Sequence, residues 1–90
     1  MQQRQVTIRN EAGFHIRPAQ LFTEKAGAFQ SAIHVKPEGQ DAGIDGKSIL
    51  GLMTLGLSKG AGMIITAEGS DEEEAVETLA RLVEGGFGEA

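Results

Sequence analysis

Apolar and polar residues alternate over Gln5–Arg9, with Val6 and Ile8 on one side and Gln5, Thr7 and Arg9 on the other. A period of two belongs to a strand with one buried face, so a strand is expected here. Asn10–Gly13 reads as a loop, and a helix is predicted from about Ile16. Pro18 is tolerated in its first turn, where the missing N–H has no intrahelical use. Ala19, Phe22 and Ala26 form the inward stripe, Leu21 lies beside them, and Gly27 offers a left-handed stop. Ser31–Lys36 alternates again, Ile33 and Val35 against Ala32, His34 and Lys36, which predicts a second strand. The Pro- and Gly-containing stretch Pro37–Gly46 is a long turn, with a short third strand expected within 40–45.

Ser48 to about Leu55 reads as a short apolar helix, although Gly51 inside it is about 1 kcal/mol less favourable there than Ala. Gly60–Gly62 opens a strand in which Met63, Ile65 and Ala67 share a face, and the run Met63-Ile64-Ile65-Thr66 predicts a central place in a sheet. Ser70 with Glu73 spells a capping box ahead of Val76, Leu79, Ala80 and Val83 at helical spacing, and Gly85 and Gly86 end that helix. The resulting order, βαββαβα, predicts an α+β open-faced sandwich: a four-stranded antiparallel sheet with three helices on one face.

Composition narrows the class. A chain of 90 residues with 40% apolar content can bury one core and has no room for a second. The formal net charge of −5 argues against nucleic acid or an anionic membrane as a partner. Seven of the thirteen acids lie in the last twenty residues, which leaves the region of His15, Arg17 and Lys47 nearly balanced and able to meet an acidic partner. Absence of cysteine excludes disulfides and thiolate sites and suits the cytoplasm. Met1–Arg9 is polar and no stretch of about 18 apolar residues exists, so a soluble chain without a signal peptide is expected.

Candidate chemistry concentrates at His15, at the predicted start of the first helix. Several backbone N–H groups lack intrahelical partners there, and the positive end of the helix dipole favours an anion and a neutral imidazole. A neutral ring keeps a lone pair for attack on phosphorus, and Arg17 adds a second anion contact. The alternative is that His15 is an ordinary cap or surface residue. His34 faces away from Ile33 and Val35 and reads as a rim histidine, and a zinc site joining it to His15 lacks ligand spacing. Gly46-Lys47-Ser48 ends like a P-loop, but the glycine required five residues before Gly46 is Asp41, so that match fails. Ser48 is left as a hydroxyl at a helix start, either an N-cap or a place that tolerates phosphate. If Leu52 and Leu55 face inward, Ile49, Leu50 and Met53 form an outer apolar patch; burial of the helix on both sides is the alternative.

Gly13-Phe14-His15-Ile16-Arg17-Pro18-Ala19, then Lys47-Ser48-Ile49-Leu50-Gly51-Leu52-Met53-Thr54-Leu55-Gly56, then Ala67-Glu68-Gly69-Ser70-Asp71-Glu72 resemble HPr, the histidine-containing phosphocarrier family of the bacterial sugar phosphotransferase system. The resemblance covers nearly the whole chain and implies one HPr-like domain over residues 1–90. It implies that His15 accepts a phosphoryl group on Nδ1 from Enzyme I, which phosphoenolpyruvate charges, and passes it to IIA proteins, with Arg17 steadying the phosphate. Such a protein is a carrier rather than an enzyme, and it needs no cofactor or metal. By the same resemblance Ser48 is the regulatory serine of an ATP-dependent HPr kinase/phosphorylase. Ile49, Leu50 and Met53 are the docking patch for Enzyme I and a catabolite control regulator. A regulatory paralogue type lacks the histidine, and His15 argues against it; a module acting mainly through Ser48 and the patch is the other reading. The chain departs from the family in a longer 36–47 segment and in Ala12, where many members carry a hydroxyl or amide.

Overall fold

A computed structural model describes residues 1–88. Four strands, β1 (Gln2–Thr7), β2 (Ala32–Pro37), β3 (Ile44–Asp45) and β4 (Gly62–Glu68), make one antiparallel sheet in the order β1-β4-β2-β3. Three helices, α1 (Ile16–Gly27), α2 (Ile49–Met53) and α3 (Glu72–Glu84), cover one face of it, and a 3-10 turn at Gly86–Gly88 follows. This is the predicted open-faced sandwich, with the apolar β4 in its interior. The alternation seen in the sequence becomes the core. Val6, Ile33, Val35, Met63, Ile65 and Ala67 from the strands meet Phe22, Leu52, Val76, Leu79 and Val83 from the helices, all buried. Among the described residues no helix is long and apolar enough to cross a membrane.

Several sequence expectations need correction. The first strand was expected over Gln5–Arg9, but pairing with β4 runs from Gln2–Ala67 to Thr7–Gly62. Its polar beginning is an exposed edge, pinned to α3 by the N-terminal amine on Glu72 and by Arg4 on Glu77. Ile8 is buried, but its N–H and C=O bond to Ala61 and Gly60 beyond the ladder. Gly27 is not a left-handed stop. The helix runs through it and ends at Ala28 in the right-handed region, where bonds from the N–H groups of Ala28 and Phe29 to Lys25 and Ala26 tighten the last turn. The second helix shrinks to Ile49–Met53, whereas the short third strand, Ile44–Asp45, lies within the expected 40–45.

The capping box is displaced as well. The N-cap of α3 is Asp71 rather than Ser70, and it is Glu72, not Glu73, that reaches back to a backbone N–H, that of Gly69, at 3.1 Å. Asp71 is committed elsewhere: its carboxylate accepts from the Ser31 hydroxyl and from the N–H groups of Gln30 and Ser31, which ties the start of β2 to α3.

Those donors, the Ser31 hydroxyl first and the Gln30 amide next, hold the Asp71 carboxyl below the usual carboxylate range. Because the folded value is depressed, the stabilisation is complete above the unfolded value of about 3.9 and is lost as pH falls through the folded one. Asp71→Asn is therefore expected to flatten the acid limb of the stability curve. Thermal unfolding followed between roughly pH 5 and 2 should show the wild-type midpoint falling more steeply than the variant's. Parallel curves would contradict this.

Candidate functional site

The segment before α1 is built to present His15. Asn10 Nδ2 donates to the Gly13 carbonyl, while the Gly13 N–H returns to the Asn10 carbonyl at 3.1 Å. Gly13 takes φ +74°, and a Cβ there would lie 2.5 Å from the Leu57 carbonyl oxygen, so the position admits only glycine. Phe14 is buried and donates its N–H to Leu57 at 2.9 Å. These contacts link the loop to the segment after α2. Gly13 stands in the motif that opens at it, whereas the support from Asn10 escapes sequence reading, which places it only in a loop.

His15 is the N-cap of α1, with extended backbone at φ −101° and ψ −164°. Its carbonyl accepts from Ala19 at 3.0 Å, the first helical bond. The half-exposed imidazole makes no capping bond to the helix, and no acidic residue occupies the first turn. The N–H groups of Ile16 and Arg17 precede the first helical bond, and Pro18 has none to offer. Arg17 is exposed on that same turn. An imidazole, two orphan amides and a guanidinium thus gather at the positive end of a 12-residue helix, an arrangement suited to an anion.

Ser48 is the N-cap of α2: its hydroxyl oxygen accepts from the Gly51 N–H at 3.1 Å. Gly51, unfavourable by propensity, has a tertiary reason, since a Cβ there would meet Ile44 Cγ2 at 2.5 Å as α2 crosses β3. Leu52 is buried and Leu55 half-buried, which turns Ile49, Leu50 and Met53 outward; Leu50 is 79% exposed. Ile16, beside His15, is 55% exposed, an outward apolar residue that the stripe analysis of α1 passed over.

Lys47 does not join His15 and Arg17. Its ammonium donates to the Phe29 carbonyl at 2.9 Å, just past the far end of α1, and twelve residues at 1.5 Å each separate the two ends by about 18 Å. The physical reason is the run of orphan carbonyls at a helix C-terminus, which attracts a cation. The local charge near His15 therefore comes from Arg17 and the backbone. His34 lies exposed on β2, and among the described residues no group of three or more potential ligands could hold a metal ion.

An open-faced βαββαβα sandwich with an accessible histidine capping its first helix is the architecture of the histidine phosphocarriers. Comparison with known proteins agrees. Residues 2–85 match the family model described as the PTS HPr component phosphorylation site. The phosphocarrier protein HPr of Borreliella burgdorferi is 40% identical over 84 residues, spanning 93% of this chain and 95% of that protein. The HPr-like protein Crh of Halalkalibacterium halodurans is 37% identical over 84 residues, spanning 93% and 98%. Among solved structures, HPr-C-His from Thermoanaerobacter tengcongensis superimposes with a TM-score of 0.92 at 42% identity, covering 100% of this chain and 99% of that one. The chain belongs to the HPr family.

Proposed function

We propose that this protein is a cytoplasmic phosphocarrier of a phosphoenolpyruvate-dependent phosphotransferase system. His15 receives a phosphoryl group from phospho-Enzyme I and delivers it to a IIA protein. The observation that carries the reading is the half-exposed imidazole of His15 at the N-terminus of α1, which makes no capping bond, with Arg17 and two orphan amides around it. As Nδ1 attacks, the N–P bond forms while the donor's bond to phosphorus breaks; delivery reverses the roles, the Nδ1–P bond breaking as the acceptor's forms. Charge spreads over the equatorial oxygens during each transfer, and Arg17 with the Ile16 and Arg17 amides supplies positive charge fixed in advance. No substrate cavity is required, because partners bring the reacting group to the helix end. Incubation with phosphoenolpyruvate and Enzyme I should yield an acid-labile, base-stable phosphoprotein; an unlabelled chain refutes the carrier role.

Ser48 is a regulatory phosphorylation site in this reading, and Ile49, Leu50 and Met53 dock Enzyme I, the HPr kinase/phosphorylase and a catabolite control regulator. A phosphate on Ser48 adds about −2 charges beside that patch while remaining an acceptor for the first turn of α2. Aspartate caps a helix as well as serine does, so Ser48→Asp adds charge with the fold kept. The variant is expected to accept phosphate from Enzyme I several-fold more slowly than wild type in a timed transfer assay, the gap narrowing as salt is raised. Equal rates at low salt would contradict the coupling.

A purely regulatory role, acting through Ser48 and the patch, is the second reading, favoured by the similarity to Crh. Its mark is ATP-dependent modification of Ser48 with no phosphate on His15.

A further inference from the structure

Phe87 is the only non-glycine residue among those described that adopts a left-handed backbone, at φ +57°. A bulky side chain occupies that region only where its surroundings over-determine it, and such positions cluster around functional groups. Its neighbours Gly86 and Gly88 are also left-handed, at φ +69° and +76°, so the chain folds sharply back after α3. The reversal places the Phe87 ring, 5% exposed, edge-on to Phe14 with centroids 5.5 Å apart and planes at 62°. Phe14 stacks in turn at 5.9 Å on Phe22, the buried anchor of α1.

Gly86 completes the contact. A Cβ at Gly86 would lie 3.9 Å from the backbone nitrogen and Cβ of Asn10, so the same turn rests against the residue whose side chain holds the Gly13 carbonyl. The end of the described chain therefore touches both residues that aim the His15 segment: Asn10 from one side and Phe14, its immediate predecessor, from the other. The backbone of residues 10–14 sets where the His15 Cα–Cβ bond starts.

We propose that Phe87 is a positioning residue for His15, wedging Phe14 so that the imidazole is held in line for phosphoryl transfer. The kinetic part of the inference rests on the carrier reading, and the geometric part does not. A shift of the Phe14 backbone would swing the adjoining Cα–Cβ bond of His15, and an error of about 1 Å in placing a reacting group lowers rates by as much as about a hundredfold.

The test compares Phe87→Ala and Phe87→Met with Val35→Ala, a truncation equally deep in the core but on β2. Methionine keeps an apolar side chain of similar length without the ring, so it serves if the alanine variant does not fold. With each variant as substrate of Enzyme I, kcat should fall roughly ten- to a hundredfold for Phe87→Ala and less for Phe87→Met, with KM little changed. Val35→Ala should keep a near wild-type kcat. Proton NMR titration should shift the His15 ring signals in both Phe87 variants and leave those of His34 in place. The proposal is overturned if Val35→Ala loses as much kcat as the Phe87 variants, or if the His15 titration superimposes on wild type in them. If the wild-type chain is never phosphorylated, the carrier reading fails, and the NMR comparison still decides the positioning.

Discussion

His15→Ala is expected to abolish phosphoryl acceptance: with phosphoenolpyruvate and Enzyme I, the acid-labile label should drop below detection. The second histidine cannot replace it. His34 lies on β2, pointing opposite to the buried Ile33 and Val35, and so on the sheet face that the helices leave open, whereas His15 begins a helix on the other face. No orphan helix amides converge on His34. The substitution should keep the fold, because the His15 side chain makes no capping bond to α1 and the first helical bond is accepted by its backbone carbonyl. Circular dichroism and thermal unfolding close to wild type would therefore accompany complete loss of label. Label that persisted in the alanine protein would move the phosphoacceptor elsewhere and remove the basis for the carrier role.

Gly13→Ala is expected to be the most damaging single-methyl change near the site. Alanine in the left-handed region costs about 1 to 2 kcal/mol. In addition, the new methyl would sit 2.5 Å from the Leu57 oxygen and 2.9 Å from Ser58 Cα, both backbone atoms that cannot rotate aside. Overpacking of this kind costs a further 1 to 3 kcal/mol or so. A total of about 2 to 5 kcal/mol, at about 4–8 °C per kcal/mol for a domain of this size, corresponds to a fall in Tm of at least roughly 8 °C. Gly39→Ala is the control: φ is +86° there, but nothing lies within 4 Å of its Cβ, so only the conformational part is lost. Urea unfolding of the two variants separates the terms. If Gly13→Ala proves no less stable than Gly39→Ala, the close approach to Leu57 does not constrain the His15 segment.

Much of the site was legible because its parts are local. A histidine two residues before an arginine and three before a proline, ahead of an apolar stripe, announces a helix start, and a helix start has orphan amides wherever the rest of the chain goes. Ser48 was legible for the same reason, and the outward turn of Ile49, Leu50 and Met53 followed from counting apolar residues around a helix too short to bury them all. Lys47 was misjudged because a long side chain reaches across space: its neighbour in sequence is Ser48, but its partner is Phe29.

The alternation of β2 and β4, the periodicity of α3 and the order of elements were determined by the sequence alone. Each reflects one residue's relation to those two to four positions away, and burial of one face imposes that period directly. Tertiary structure decided what depends on pairing between distant segments. It moved β1 onto Gln2, since an edge strand needs a neighbour's hydrogen bonds more than apolar residues. It diverted Asp71 from its helix to Ser31, explained Gly51 by the approach of Ile44, and bent the chain at Phe87 onto Phe14. Such choices turn on the surroundings that the folded chain brings to each residue, and no local pattern encodes them.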